Sequence, residues 1–354
     1  MNREYNDNKE YKIVLDELHF SEEAKNHMVE RLMERAEQPV PHRVRRFPRV
    51  AAVGVAAALV LSIGAGATGV LKSASEAFAG VFGPTADTEV IDQIGHPIGA
   101  SDTSNGVTVT ADAILFDGYN YLISYTLEKD DGSAFHCTKN PDTGLLDLHW
   151  GETDRDIGRH TGGAIGSSWF YDENPNDNAI QYVETMSYSG AVKPGGTAKI
   201  SLKDLRSFTP GAQDETVLAE GTWHLKFKLD AGNCAKELTA VQTINVNGKS
   251  ATVDKLIISP IGYNFTYTVD EQAQFRETAS GKAPTSQQNE WDAFSAPLSI
   301  TMKDGTVVDL SGSGGSMEPE NGKTVCTRQG TFDQILPLED MASVNIGGVT
   351  VPTE

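Results

Sequence analysis

Cysteine is scarce in this chain: 354 residues hold three, Cys137, Cys234 and Cys326. They lie far apart and form no C-x-x-C pair, which excludes a disulfide-stapled scaffold and a cysteine-built zinc site. At most one pair could close within the chain, and the spacing does not select which. Catalytic signatures are equally scarce. Gly166-Ser167-Ser168 lacks the second flanking glycine and the strand-to-helix context of a nucleophile elbow. The run from Ser311 to Ser316 lacks the Lys-Ser/Thr of a phosphate cradle. None of the eight histidines sits at i, i+4 around a glutamate on a helical pattern. The expectation is a protein that is not an enzyme and carries no cofactor or metal.

One segment has the composition of a calcium loop. Asp172-Glu173-Asn174-Pro175-Asn176-Asp177-Asn178 places oxygen ligands at alternate positions. Its sixth position is Asp177, where a calcium loop needs glycine, and Glu184 falls one residue beyond the bidentate site. An Asn-rich turn is the favoured reading, because Asn and Asp hydrogen-bond their own backbone in turns.

Basic residues are outnumbered, 29 against 49 acidic, for a net charge of −20. The deficit is confined to one part of the chain. Residues 1–48 hold 9 basic and 10 acidic residues, whereas residues 73–354 hold 18 and 39. So acidic a surface argues against nucleic acid and anionic lipid as partners of that part, and solubility alone is the favoured reading.

Between the two parts lies a run of 22 uncharged residues, Val50 to Leu71. As a helix it would be roughly 33 Å long, enough to cross the hydrocarbon core of a bilayer. Arg43, Arg45, Arg46 and Arg49 crowd its front edge, and Lys72 alone follows it. Basic residues stay on the cytoplasmic side, so these arginines set the topology, with residues 1–48 inside and 73–354 outside. A cleaved secretory signal is the competing reading, since Ala65-Gly66-Ala67 and Ala77-Phe78-Ala79 resemble small-residue cleavage sites. The 48 residues before the run are far more than a signal peptide spends there. Within the run, Gly54, Ala58, Ser62 and Gly66 recur every four residues, a small-residue stripe suited to a homodimer through the span.

The inner arm predicts a helix after Ser21, a plausible N-cap followed by Glu22 and Glu23, where the helix dipole favours negative charge. Ala24, Met28 and Leu32 recur at i+4 with Met33 beside them, and Pro39 and Pro41 end the pattern. A helix this short needs a partner for its apolar stripe. Ala24, Met28, Leu32 and Met33 are therefore the candidate partner-binding residues.

Beyond a juxtamembrane connector (73–95), the pattern predicts strands and hairpins. Val107, Val109 and Ala111 alternate, and Tyr119 to Tyr125 follows an Asp117-Gly118 turn. Lys199 to Leu205 is a further candidate strand, and Trp223, Leu225, Phe227 and Leu229 alternate with polar residues. A second unit starts near Val241. It has an Asn247-Gly248 hairpin, a hairpin at Asp304-Gly305 and a closing pair around Gly347-Gly348. Short strands separated by turn signals predict two β-sandwiches, 96–240 and 241–354, after one transmembrane helix at 49–72. The Gly-Tyr-Asn at 118–120 and at 262–264 suggests that the two units are related, although the spacings around it differ by two residues on each side.

In order, the chain presents Leu18-x-Phe20-Ser21-Glu22-Glu23, the arginine edge, the uncharged run, Ile98-Gly99, Asn105-Gly106-Val107-Thr108-Val109, Asp117 and Ile123-Ser124-Tyr125. This resembles the single-pass membrane proteins of Gram-positive bacteria that carry a β-rich extracellular domain of unassigned function. Such proteins are often encoded beside extracytoplasmic-function sigma factors. The resemblance implies an anti-sigma-factor-like regulator, or negative effector, whose partner is such a sigma factor. Ser259-Pro260-Ile261-Gly262 and Lys303-Asp304-Gly305-Thr306 are similar to the immunoglobulin-like second module of those proteins. One departure is plain: residues 1–48 contain no cysteine, so the His-x3-Cys-x2-Cys signature of zinc-type anti-sigma domains is absent. The alternative expectation is a surface-anchored structural or adhesive protein whose inner arm only stops transfer.

Overall fold

The computed structural model describes residues 71–353 apart from 84–85, 194, 208–214, 230–231, 233, 239–242, 275–284 and 313, and these residues belong to one compact unit. The inner arm, the four arginines, the small-residue stripe and the uncharged run up to residue 70 lie outside the described residues. So does the expected boundary at 240–241. Among the described residues, no helix is long and apolar enough to cross a membrane.

The connector, expected only as a linker, is helical. Ser73 caps α1 (Ala74–Ala77) through a reciprocal box in which its hydroxyl accepts from Glu76 N and its own N–H donates to the Glu76 carboxylate. The helix α2 (Ala79–Phe82) follows, and Asp87 caps α3 (Thr88–Ile94) by accepting from Val90 N. Helices this short draw their stability from packing. Ala74, Phe78, Val90, Ile91 and Ile94 are buried in one apolar cluster with Ala113, Leu115 and Leu122.

The first β unit comprises β1 (Gly95–Ser104), β2 (Val107–Phe116), β3 (Asn120–Lys129), β4 (Leu148–Asp156), β5 (Ala164–Tyr171), β6 (Ala179–Tyr188), β7 (Thr197–Ser207) and β8 (Thr216–Lys228). All pairings are antiparallel. One sheet has the order β1-β2-β3-β6-β5 and the other β4-β7-β8. Both sheets contribute to one core: Val109, Tyr125 and Tyr182 from the first, Trp150, Leu202, Trp223 and Leu225 from the second. Trp223 satisfies its indole N–H on Val107 O at 2.8 Å. From Ala111 to Phe116 the alternation disappears because the strand is buried on both faces, by the core on one side and by the connector on the other.

The second unit comprises β9 (Lys236–Glu237), β10 (Ile244–Val246), β11 (Lys249–Ile258), β12 (Gly262–Val269), helix α4 (Thr285–Phe294), β13 (Leu298–Met302), β14 (Val307–Asp309), β15 (Gly315–Glu320), β16 (Lys323–Thr331), β17 (Met341–Ile346) and β18 (Val349–Pro352). The order β10-β11-β12-β16-β15, with β9 beside β11, forms one sheet; β14-β13-β17-β18 forms the other. Here too both sheets fill one core, which includes Leu256, Phe265, Tyr267, Ile300, Val344 and Ile346. The Ser311–Ser316 run is therefore only partly a loop, since β15 begins at Gly315.

The two units repeat one hairpin in register. β2 and β11 are each ten residues long, and a constant offset of 142 carries Thr110, Asp112, Tyr121, Tyr125 and Thr126 onto Thr252, Asp254, Tyr263, Tyr267 and Thr268. Both hairpins bulge at the aspartate. In both, the bulged carboxylate accepts from the threonine: Asp112 from Thr126 at 2.6 Å, Asp254 from Thr268 at 2.7 Å. The units are thus related, but not through the Gly-Tyr-Asn match. In the first unit Gly118-Tyr119 lies in the turn, whereas in the second Gly262-Tyr263 already belongs to β12, two positions out of step.

Candidate functional site at the joint between the repeats

The turn at 117–119 meets its counterpart, the turn at 259–261. Asp117, fully buried, accepts from Tyr119 N (2.7 Å), Asn120 N (2.6 Å), Asn120 Nδ2 (2.7 Å) and the Ser259 hydroxyl (2.5 Å). Burial pushes the Asp117 carboxyl up, and the hydrogen bonds from Asn120, Ser259 and Tyr119 pull against it. Ser259 Oγ in turn accepts from Ile261 N and Gly262 N, and of its two acceptors Asp117 Oδ2 (2.5 Å) is closer than Gly262 O (3.2 Å). Asn120 Oδ1 accepts from Ser187 Oγ. Further bonds cross the joint: Asn264 Nδ2 donates to Tyr188 O (2.8 Å) and Ser189 O (3.2 Å), and Gln329 Nε2 donates to Ser187 O (2.9 Å). Ile261 and Ile335 of the second unit complete the apolar cluster around the connector helices. The connector is therefore wedged against both repeats at their joint.

Beside the joint lies a cleft of about 910 Å³. One wall is the outward face of β5 and β6, with Ile165, Ser167, Trp169, Thr185 and Ser187. The other is formed by Val308, Asp309, Leu310, Gly312, Gly314 and residues 329–334, and Phe82 of the connector also lines it. The charged residues of its lining are Asp309 and Asp333. Hydrogen bonds from Ser311 hold the Asp309 carboxyl below its ordinary range, so it is ionised at neutral pH. The cleft thus combines apolar and hydrogen-bonding walls, and its charged lining is negative only.

A second polar cluster lies inside the first unit. Glu184 is buried, accepts from Arg155 Nε at 2.6 Å, and accepts from the Tyr121 and Tyr182 hydroxyls at 3.2 and 3.3 Å. Burial first, and the Glu184 charge second, push the Tyr121 and Tyr125 hydroxyls up. Glu184 is thus the buried member of an ion pair with the half-buried Arg155, which explains why it does not serve the Asn-rich segment. That segment is a turn between β5 and β6: Asp177 N donates to Asn174 O, and Asp177 Oδ1 accepts from Ala179 N. Gly166-Ser167-Ser168 lies within β5. The three cysteines are free thiols, and burial pushes Cys137 and Cys326 up to about 11 and Cys234 up to about 12, so all three are protonated and poorly nucleophilic at neutral pH.

Of the residues singled out from sequence, Ala24, Met28, Leu32, Met33, Arg43, Arg45, Arg46 and Arg49 lie outside the described residues. The joint and the cleft are not legible in the sequence, because Ser187, Gln329 and Ile335 carry no motif. The one available signal was an Asp-Gly-Tyr-Asn turn aligned at the true offset with Ser-Pro-Ile-Gly.

The architecture defines a mainly β protein with several antiparallel sheets and an internal duplication. Residues 43–129 match the family described as a domain of unknown function, DUF4179. That match spans the arginine edge, the uncharged run, the connector and β1 to β3. Among curated proteins nothing matches. Among solved structures the chain is similar to "The crystal structure of the conserved domain protein from Bacillus anthracis", at 17% identity and a TM-score of 0.44, over 72% of this chain and 77% of that one.

Proposed function

We propose that this chain is a single-pass membrane regulator, anti-sigma-factor-like, that binds a signal outside and holds an extracytoplasmic-function sigma factor inside. In this reading residues 49–72 span the membrane, and 96–240 and 241–354 are immunoglobulin-like sandwiches outside the cell. The stripe of Ala24, Met28, Leu32 and Met33 contacts the sigma factor. A large apolar side chain in that contact contributes about 1.5–3 kcal/mol when fully buried.

The observation that carries the reading is the packing of Phe78 and its neighbours between the two repeats. The segment that leaves the uncharged run is part of the joint, so a ligand that shifts the joint acts on that segment directly. Ala77 and Phe78 are buried there while Ala79 is exposed, and Ala77 O accepts from the Ser124 hydroxyl at 2.8 Å.

The test is a pull-down with residues 1–48 as bait, which should recover a sigma factor with the native sequence and lose it with Leu32→Asp. Recovery of none with the native sequence overturns the regulatory reading. Deleting residues 1–38 should change transcription of a regulon, whereas an adhesive protein would leave it flat. For topology, protease added to intact protoplasts should digest the β units and leave the arm and span membrane-bound.

A further inference from the structure

We propose that the N-terminal half of β5 is a docking edge for an extended, basic peptide segment, which adds to the sheet as a further strand beside the acidic cleft. This deepens the outward-binding half of the proposed function.

The backbone pattern supplies the acceptor. Phe170 O accepts from Leu146 N on the side of β5 facing away from β6. Antiparallel strands alternate the direction of their peptide groups, so Gly166 and Ser168 also present N–H and C=O outward. Among the described residues nothing pairs with those groups, and Ala164 to Ser168 are all exposed.

Exposed edges attract other chains, and folded proteins usually blunt them with charge, proline or bulges. The matching edge of the second repeat, β15, does so with Glu318, Pro319 and Glu320. The opposite edge of the first sheet, β1, has Pro97 and a register shift beside it. β5 reads Ala-Ile-Gly-Ser-Ser-Trp-Phe-Tyr, without charge, proline or bulge. Two copies of one unit thus treat the same edge in opposite ways, and the bare one borders the cleft.

Charge selects the occupant. The side chains of an added strand on the outward face would lie beside Ile165, Ser167 and Trp169, in a cleft whose charged lining is Asp309 and Asp333 with no Lys, Arg or His. A second copy of this chain, with its net charge of −20, would be repelled; a cationic strand with apolar residues at alternate positions fits.

The test uses the full chain in detergent and an acetylated, amidated (Lys-Val)4 peptide as probe. Binding is read by calorimetry, and amide hydrogen exchange of residues 164–168 and 315–320 locates it. The expected result is saturable binding at low salt, weakened by added salt. Exchange should slow at 164–168 and not at 315–320. Ser168→Pro removes an outward N–H without touching the β5–β6 ladder, and should weaken binding at least tenfold, whereas Ser168→Ala should change it less than twofold. Should Ser168→Pro fail to fold, the native chain still decides: a fully N-methylated (Lys-Val)4 and an all-acid (Glu-Val)4 should each bind at least tenfold more weakly. Equal binding of either control, or unchanged exchange at 164–168, overturns the proposal. So does self-association through 164–168 without peptide, which would make the occupant a second copy. A failed pull-down with residues 1–48 leaves every one of these outcomes readable.

Discussion

The Ser259 hydroxyl donates to Asp117 Oδ2 at 2.5 Å, and the two residues occupy the same position of the two repeats, 142 residues apart. A contact between counterparts is what an approximate two-fold relation produces at its axis. The repeats have diverged there so that one supplies the acceptor and the other the donor. Two aspartates facing each other at this buried point would repel.

Ser259→Ala should therefore destabilise the chain by about 1–3 kcal/mol, because it leaves a buried carboxylate short of one donor. Asp117→Ala should cost more, since it also abandons the Tyr119 and Asn120 amides. Denaturant midpoints measured at constant m-value check both; a Ser259→Ala midpoint equal to the native one would show that the bond contributes nothing.

Asp112 makes stability depend on pH in a direction that can be stated. Burial raises its carboxyl above the ordinary value, with Lys72 and Thr126 pulling back. A group raised in the folded state contributes fully below the unfolded value of about 3.9, and the contribution is lost as pH rises through the folded value. The melting temperature of Asp112→Asn relative to the native chain should rise between pH 3.5 and pH 7. A difference that is flat or falls across that window would refute the assignment.

Arg155 and Glu184 form a pair whose members matter unequally alone and together. Arg155→Met should cost about 3–5 kcal/mol by leaving Glu184 buried without its counter-charge, whereas Arg155→Met with Glu184→Leu should recover most of it. A double-mutant cycle on chemical denaturation reads the coupling, and strictly additive losses would argue against it.

Phe78 tests whether the connector belongs to the fold. It is fully buried between the repeats, so Phe78→Ala should cost about 3–5 kcal/mol. It should also expose residues 74–82 to limited proteolysis before global unfolding. Protection equal to that of the native chain would mean that the connector docks without it.

Much of the β architecture was legible along the chain. Trp223, Leu225 and Phe227 are buried while His224, Lys226 and Lys228 are exposed, as their alternation demands, and the turns at 247–248, 304–305 and 347–348 close the expected hairpins. These features are local: period-two burial and positive-φ turn residues act over a few positions. The helix at 285–294 was not legible, because it carries no apolar period. It is held at its end instead, where the Tyr267 hydroxyl donates to Phe294 O and accepts from Ala296 N. β5 is not legible either, since an edge strand with exposed Gly and Ser shows little alternation.

By itself the sequence determined the uncharged run with its arginine edge, the acidity of everything beyond it, and the antiparallel hairpins, because composition and short periods suffice for each. The alignment of the repeats at an offset of 142, the wedging of the connector against both, and an edge strand that stays bare among the described residues beside an acidic cleft came from the tertiary fold. Each of these depends on residues more than a hundred positions apart meeting in space, and no local pattern encodes such a meeting.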